Sequence, residues 1–158
     1  MDKVLMSSGK DDWGTPQALF DKLNKEFNFT LDACASSYNF KCEKYYTIED
    51  DGLSKSWAGE TVFCNPPYSK AGGQAKWVEK CYKEAKEHNI TVVMLLPART
   101  DTKVFHDYII GKAEIRFIKG RVKFEDGNRC SQSPAPFPSM IAVYYGNKAS
   151  DKVISIGY

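Results

Sequence analysis

The tetrapeptide Asn65-Pro66-Pro67-Tyr68 directly follows "TVFC", a short apolar run that is typical of a buried strand. Two successive prolines fix φ and carry no amide hydrogen, so the carbonyl groups of Asn65 and Pro66 are free to project away from the sheet. The Asn65 side-chain oxygen adds an acceptor, and the Tyr68 ring adds a flat apolar face. Such a set fits a planar group that carries an amino substituent.

The chemistry expected of these acceptors is activation of an amine. Two acceptors that take the two amine hydrogens draw the nitrogen toward tetrahedral geometry, so that its lone pair becomes available for attack. The tyrosine ring would hold the planar group by stacking, and no strong base is needed. A plainer interpretation of the same residues is a turn that ends a strand and leaves a surface tyrosine.

The surrounding elements predict an α/β fold with a mostly parallel, doubly wound sheet. Amphipathic patterns predict a helix that opens at Thr15-Pro16 with Thr15 as its cap, a second in "AKWVEKCYKEAKEHN", and a third in "DTKVFHDYII" with Asp101 as its cap. Apolar runs predict strands in "FNFTLDACAS", "EKYYTIED", "ETVFC" and "ITVVMLLP". We expect "AEIRFIKG" and "PSMIAVYYG" to form a C-terminal antiparallel hairpin joined by a long polar loop.

Three groups of residues follow predicted strands and should therefore face one crevice at the carboxyl edge of the sheet. They are Asp32 with "ACAS", the segment "EDDGL", and the Asn-Pro-Pro-Tyr turn. Asp32 could instead cap the following turn, and Asp51 before glycine is a turn signal by itself. We favour a ligand-facing role for both.

Over most of its length the chain resembles the phage-type DNA N-6-adenine methyltransferases, relatives of the Dam enzymes. The resemblance is carried by "DDWGTPQALFDKL", "FTLDACASSYNF", "DDGLSKSWAGETVFCNPPYS", "VVMLLPARTDTKVFH", "IKGRVKF" and "APFPSMIAVYYG", in the family's order. It implies a single-domain, Rossmann-like methyltransferase fold and S-adenosylmethionine as methyl donor. It also implies that an adenine is flipped out of DNA into the pocket.

The resemblance assigns roles to particular residues. It implies catalysis by Asn65, Pro66, Pro67 and Tyr68. Cofactor binding is implied for Trp13, Thr15, Pro16, Asp32, Ala33, Cys34, Ala35, Asn39, Asp51 and Asn65. Ala33 to Ser36 stand where the family often has glycines, and this departure bears on how closely the cofactor can approach.

Basic residues provide candidate DNA contacts. Arg99 follows a central strand and could contact a phosphate or pair with Asp101. Lys119, Arg121, Lys123 and Arg129 surround the last predicted loop, where they could contact the DNA backbone or form a solvated sheet edge. We expect this loop and "SKAGGQ" to rim the substrate opening.

Composition limits the remaining classes. The 158 residues, 42% hydrophobic, predict one domain over 1–158 without a separate target-recognition domain. A net charge of +2 does not imply a large polyanion-binding surface, although a local basic patch is compatible with it. We expect a soluble, cytoplasmic protein that has no membrane span. Five cysteines without a CxxC pair predict neither a disulfide framework nor a metal site.

Two alternative functions remain open at this point. One is the same chemistry on another amide or amine, in a protein glutamine or an RNA guanine. The other is a catalytically silent DNA-binding member of the fold.

Overall fold

One seven-stranded sheet organises the protein, and the computed structural model describes residues 13–71, 73–126, 129–130 and 134–158. In chain order the strands of this sheet are β1 (Leu31–Asp32), β2 (Lys44–Tyr45), β3 (Val62–Cys64), β4 (Thr91–Pro97), β5 (Glu114–Ile118), β8 (Ser139–Tyr145) and β9 (Val153–Ile156). Between β5 and β8, strands β6 (Glu125–Asp126) and β7 (Arg129–Cys130) form a separate two-stranded ladder.

The sheet is parallel on one side and mixed on the other. Its strand order is β2-β1-β3-β4-β8-β5-β9, and β2, β1, β3 and β4 run parallel. The chain leaves β1 to one side for β2 and then crosses to β3 on the other side, so the strand order reverses beside β1. The rule for open α/β sheets places a ligand crevice at such a point.

Strand β4 is apolar and buried from Val92 to Pro97 because both faces of the sheet are covered there. On β4, Val92, Met94 and Leu96 belong to one buried cluster, whereas Val93 and Leu95 belong to the other. This alternation is the period of two expected of a strand, with helices or loops packed on each side.

In the described ranges, three helices and a short 3-10 turn cover the sheet. Helix α1 (Gln17–Phe27) lies on one face, α2 (Gln74–His88) and α3 (Lys103–Tyr108) lie on the opposite face, and the 3-10 turn spans Gly52–Ser54. No helix in the described part of the chain is long and apolar enough to cross a membrane.

Both predicted caps are wrong. Helix α1 begins at Gln17 after Pro16, and the hydroxyl of Thr15 caps nothing there. The Gln17 amide instead donates to the Glu125 carboxylate from a distant loop, at 3.0 Å. For α3 the capping residue is Thr102, whose hydroxyl accepts from the Phe105 amide at 3.3 Å.

The C-terminal half is more elaborate than a hairpin. Strands β5 and β8 do pair antiparallel, with Arg116 opposite Ile141. However, the connection between them contains the β6–β7 ladder, and β9 adds a parallel edge strand that the sequence did not predict. Its half-exposed "VISI" pattern lies within the last six residues of the chain.

Candidate active site

The segment Trp13–Pro16 crosses the carboxyl edge of the sheet and is held there from two sides. Gly14 exchanges two backbone hydrogen bonds with Glu125, of 2.9 and 2.8 Å. The Asn65 amide donates to the Trp13 carbonyl at 2.5 Å and to the Thr15 hydroxyl at 3.0 Å. A Cβ on Gly14 would lie 2.8 Å from the Glu125 carbonyl oxygen, so this close crossing requires glycine.

The Asn65 side chain is thus oriented by its own donors. Because both amide hydrogens point at the Trp13–Pro16 segment, the Oδ1 acceptor faces the other way. Oδ1 accepts from the Tyr68 hydroxyl at 2.5 Å. A carbonyl oxygen has two lone pairs, so this bond leaves one acceptor position for a ligand.

Tyr68 occupies a different environment from the one the sequence predicts. Its ring is only 4% exposed, and its hydroxyl also lies 3.2 Å from the Leu95 carbonyl oxygen. Phe124 and Phe137 pack edge-to-face on it, with ring centroids at 5.9 and 5.7 Å. The tyrosine face expected to be open to a planar ligand is therefore covered by two phenylalanines, and burial raises the pKa of the Tyr68 hydroxyl.

A cavity of about 340 Å³ lies at the carboxyl ends of β1, β2 and β3. It collects nearly all of the residues predicted to hold a cofactor. Of the predicted residues, its walls include Trp13, Thr15, Asp32, Ala33, Cys34, Ala35, Asn39, Asp51, Asn65 and Pro67. Pro16, Pro66 and Tyr68 do not line it.

The loop after β1 is narrow although it lacks glycine. Its backbone is bonded to both neighbouring strand ends, from Ala33 N to Phe63 O at 3.0 Å and from Ala35 N to Tyr46 O at 2.8 Å. The Gly52 turn packs closely on this loop, because a Cβ on Gly52 would lie 2.4 Å from the Ala33 carbonyl oxygen. Glycine is thus needed at Gly52, where the two segments meet.

Asp32 is the most unusual group of the cavity. It is 3% exposed, and its Oδ2 accepts from the Lys41 amide at 3.0 Å. Its Oδ1 is buried and has no hydrogen-bond partner among the described residues. Burial raises the pKa of this carboxyl to about 6, against the pull of the amides of Lys41 and Cys34. A carboxylate that is buried but half unsatisfied is costly to the fold.

The loop that carries Asp51 is held by buried tryptophans. Asp51 itself is exposed and adopts a left-handed conformation with φ of 55°. The Trp57 indole donates to the Gly52 carbonyl at 3.1 Å, and the Trp57 amide donates to the buried Glu84 carboxylate at 2.6 Å. Trp77 stacks on Trp57 and forms part of the cavity wall.

Several cavity residues were missed by the sequence analysis. They are Gly14, Lys41, Tyr46, Thr47, Ile48, Phe63 and Trp77, whereas Ser36, Gly52 and Leu53 lie in the two segments that were expected to face the crevice. Tyr46 to Ile48 could have been found, because they follow β2 as Asn65 follows its strand. Trp77 and Lys41 carry no local signal, since a tryptophan on an apolar helix face and a lysine in a loop are ordinary.

The predicted DNA contacts lie at the surface. Arg99 is exposed, and its guanidinium lies over the Phe137 ring, 5.6 Å from the centroid. Lys119, Arg121 and Lys123 are also exposed, and the Arg121 guanidinium donates to the Ala135 carbonyl at 3.2 Å. No ion pair joins Arg99 to Asp101 in the described ranges. The side chain of Arg129 and residue Gly72 lie outside what the structure describes.

Two other sets of groups that could do chemistry do not line this cavity. In the described part of the chain, the one group of three possible metal ligands is Glu84, Glu87 and His88 near the end of α2, where Glu84 already binds the Trp57 amide. Burial raises the pKa of the Cys64 thiol, which suits a small core residue.

The chain matches known proteins over nearly its full length. The family model described as DNA N-6-adenine-methyltransferase (Dam) matches residues 3–156. A DNA N-6-adenine-methyltransferase of Haemophilus phage HP1 is 35% identical over 135 residues, which is 82% of this chain and 76% of the relative. The protein of the same name from Escherichia phage T1 is 35% identical over 127 residues, which is 78% of this chain and 52% of that longer relative.

Proposed function

This chain belongs to the DNA N-6-adenine-methyltransferase (Dam) family, and from that premise we propose that it methylates adenine in DNA with S-adenosylmethionine bound in the cavity beside Asn65. The enzyme is an adenine-specific DNA methyltransferase. The observation that carries the proposal for the donor is one of position. The Asn65 side chain and the unpartnered Asp32 carboxylate line the same cavity, so an activated amine and a bound donor would meet there.

The residues of the cavity fit this donor. A cationic ligand would satisfy the Asp32 Oδ1, and the hydroxyl of Ser36 is a second buried polar atom without a partner in the described residues. Trp77, Leu53 and Ile48 give apolar wall area to a purine ring. When bound, S-adenosylmethionine would supply a sulfonium methyl group as the electrophile.

Asn65 orients and activates the nucleophile. Its free Oδ1 lone pair takes one hydrogen of the adenine amine, and the Pro66 carbonyl, which the two prolines keep out of the sheet, takes the other. Both acceptors are fixed before the substrate arrives, so their stabilisation of the developing positive charge needs little reorganisation. We propose Asn65, Pro66, Pro67 and Tyr68 as the catalytic residues on this basis.

Tyr68 stacks on the flipped adenine in this proposal, and that requires a local rearrangement. Phe137 is half-buried, whereas Phe124 is 3% exposed and belongs to the core. Displacement of Phe137 is therefore the cheaper way to uncover the tyrosine face. A flipped base would then replace one aromatic contact with another.

The remaining proposals follow from the same arrangement. Trp13 and Thr15 hold Asn65 by hydrogen bonds, Pro16 follows them as a further part of the proposed cofactor site, and Asp32 to Ala35, Asn39 and Asp51 surround the donor. Arg99, Lys119, Arg121 and Lys123 are exposed and available for backbone contacts to DNA. We also propose a Rossmann-like methyltransferase fold in a single domain, with sequence selection by its loops. Because the substrate is DNA, we propose that the enzyme acts in the cytoplasm.

The decisive experiment is transfer of labelled methyl from S-adenosylmethionine to unmethylated DNA, followed by mass analysis of the nucleosides. We expect N6-methyladenine as the single methylated product, and none with the Asn65→Ala variant. The Lys83→Ala variant, changed on the exposed face of α2, is the control and should behave as the wild type. Label on cytosine, or binding of DNA without transfer, would contradict the proposal.

A further inference from the structure

A buried lysine that the family assignment does not explain lies in the donor cavity. Lys41, in the loop between β1 and β2, lines the cavity, and its side chain is 5% exposed. Its Nζ donates to the Gln17 side-chain oxygen at 2.8 Å and lies 3.7 Å from the Glu125 carboxylate, too far for a hydrogen bond. An ammonium group has three hydrogens, so donor capacity remains for a ligand.

The backbone of this same lysine positions the opposite charge. The Lys41 amide donates to Oδ2 of Asp32 and leaves Oδ1 buried without a partner in the described part of the chain. The Asp32 carboxylate at the end of β1 is thus held by the backbone of Lys41, whose ammonium is held separately by the Gln17 side-chain oxygen. Buried charges with incomplete pairing destabilise a protein unless a ligand completes them.

One end of the proposed donor has the complementary pair of charges. The amino-acid end of S-adenosylmethionine carries an ammonium and a carboxylate on one carbon atom. We propose that Asp32 binds this ammonium and that Lys41 binds this carboxylate, so that the two residues together select an intact α-amino acid end. This inference rests on the proposed donor, and it places the amino-acid end of the donor beside Asp32 and Lys41 in the cavity.

A structural role for Lys41 is the competing explanation. The lysine ties α1 to the Glu125 loop through Gln17, and its loss could loosen the cavity as a whole. The two explanations differ in what they predict for ligands. A loosened cavity binds every ligand less well, whereas loss of a carboxylate contact affects only ligands that have the carboxylate.

Decarboxylated S-adenosylmethionine distinguishes a structural role of Lys41 from a direct contact with the donor carboxylate. This compound keeps the ammonium, the sulfonium and the adenosine and lacks only the carboxylate. Dissociation constants of both compounds are measured by calorimetry with the wild type, Lys41→Met, Lys41→Arg and Asp32→Asn. Lys44→Met is the matched control, since Lys44 is exposed and pairs with Glu60 outside the cavity. Thermal unfolding of each variant verifies that it is folded.

We expect the wild type to prefer the intact donor by about 10- to 100-fold, the size of a lost charged hydrogen bond. Lys41→Met should lose this preference by binding only the intact donor more weakly, and Lys41→Arg should restore part of it. Asp32→Asn should weaken both compounds, and Lys44→Met neither.

Equal dissociation constants of the wild type for the intact and the decarboxylated donor would by themselves overturn the inference. An equal loss of affinity for both compounds in Lys41→Met would also overturn it. If the wild type binds neither compound, the proposed donor itself is wrong, and the inference falls with it. The outcomes thus separate failure of the donor assignment from failure of the Lys41 contact.

Discussion

Two regions of this protein bury charged groups, and they treat them in opposite ways. On β5, Arg116 is 7% exposed and is almost fully paired. Its guanidinium makes two 2.7 Å bonds to Glu26 and one of 2.6 Å to the buried Glu114. The Tyr145 hydroxyl lies 3.3 Å from the guanidinium and from Glu114.

Asp32 is as deeply buried as Arg116, but one of its carboxylate oxygens has no hydrogen-bond partner in the described residues. Ion pairing with Arg116 lowers the pKa of the Glu26 carboxyl, whereas burial raises that of Asp32. A buried charge whose partners are all within the protein serves the fold. One that is left incomplete reduces stability, and this cost is expected where a ligand supplies the missing partner.

The largest effect is expected from breaking the paired region. Arg116→Met leaves the buried Glu114 with only the Lys152 ammonium, 3.9 Å away, as a cation, so we expect a loss of about 3 to 5 kcal/mol in the free energy of unfolding, measured by urea denaturation. Lys83→Met removes an exposed ion pair with Glu79 and should leave the free energy of unfolding nearly unchanged. Similar values for the two variants would show that the Arg116 network contributes little.

A loss of nearly the same size, but in catalysis, is expected at Asn65. Asn65→Ala removes the acceptor for the substrate amine, and kcat should fall by about 10²- to 10³-fold, as for the loss of other preorganised polar groups. Part of any change in donor affinity will come from the Trp13 and Thr15 contacts, which the same side chain makes. A kcat within threefold of wild type would exclude the proposed role.

The unpaired region can be tested by pH. The folded state raises the pKa of Asp32 from 3.8 to about 6, so its contribution to stability is full below pH 3.8 and is lost as the pH rises through 6. Two pKa units correspond to about 3 kcal/mol. Asp32→Asn should stabilise the ligand-free protein at pH 7.5 by about 1 to 3 kcal/mol and remove this pH dependence. A destabilised variant at pH 7.5 would contradict the comparison.

Few other groups near Asp32 titrate in this range. Its titratable neighbours are Lys41 and the thiols of Cys34, Cys42 and Cys64. Burial raises the pKa of each of these thiols, that of Cys42 to about 12. A change in stability between pH 4 and 6 that disappears in Asp32→Asn therefore reports on this carboxyl.

A smaller effect is expected where a buried polar group is fully paired but neutral. Tyr68→Phe removes the hydroxyl that bonds Asn65 and keeps the ring. We expect a loss of about 1 kcal/mol in stability and less than a tenfold fall in kcat, because the stacking surface remains. A fall in kcat as large as that of Asn65→Ala would instead assign the hydroxyl a direct part in the reaction.

The smallest effect belongs to charges that are not buried at all. Lys123→Gln should leave stability within about 0.5 kcal/mol and reduce the slope of log affinity for DNA against log salt by about 1. Lys83→Gln, on the exposed face of α2, should leave that slope unchanged. An unchanged slope for Lys123→Gln would remove this lysine from the DNA surface.

Much of the site could be predicted because strand ends are a local signal. Asp32 and Asn65 each follow an apolar strand, and parallel strands bring their carboxyl ends together, so both were expected to meet. Ala33 to Ala35 and Asp51 followed from the same rule. The predicted helix caps were wrong because the amides at the start of a helix can be satisfied by a residue far away in the chain. Thr15 has the right type and position, but a carboxylate 108 residues away takes its place at the Gln17 amide.

The sequence by itself determined the strand-end residues and the acceptors of the Asn-Pro-Pro-Tyr turn, because alternation, proline geometry and side-chain chemistry act over a few residues. The tertiary structure alone decided that Gly52 packs against the backbone of Ala33, that two phenylalanines cover Tyr68, and that Lys41 lines the cavity with Asp32. These depend on contacts between segments far apart in the chain. The free energy of such contacts is set by how the whole core packs, and no short stretch of sequence contains it.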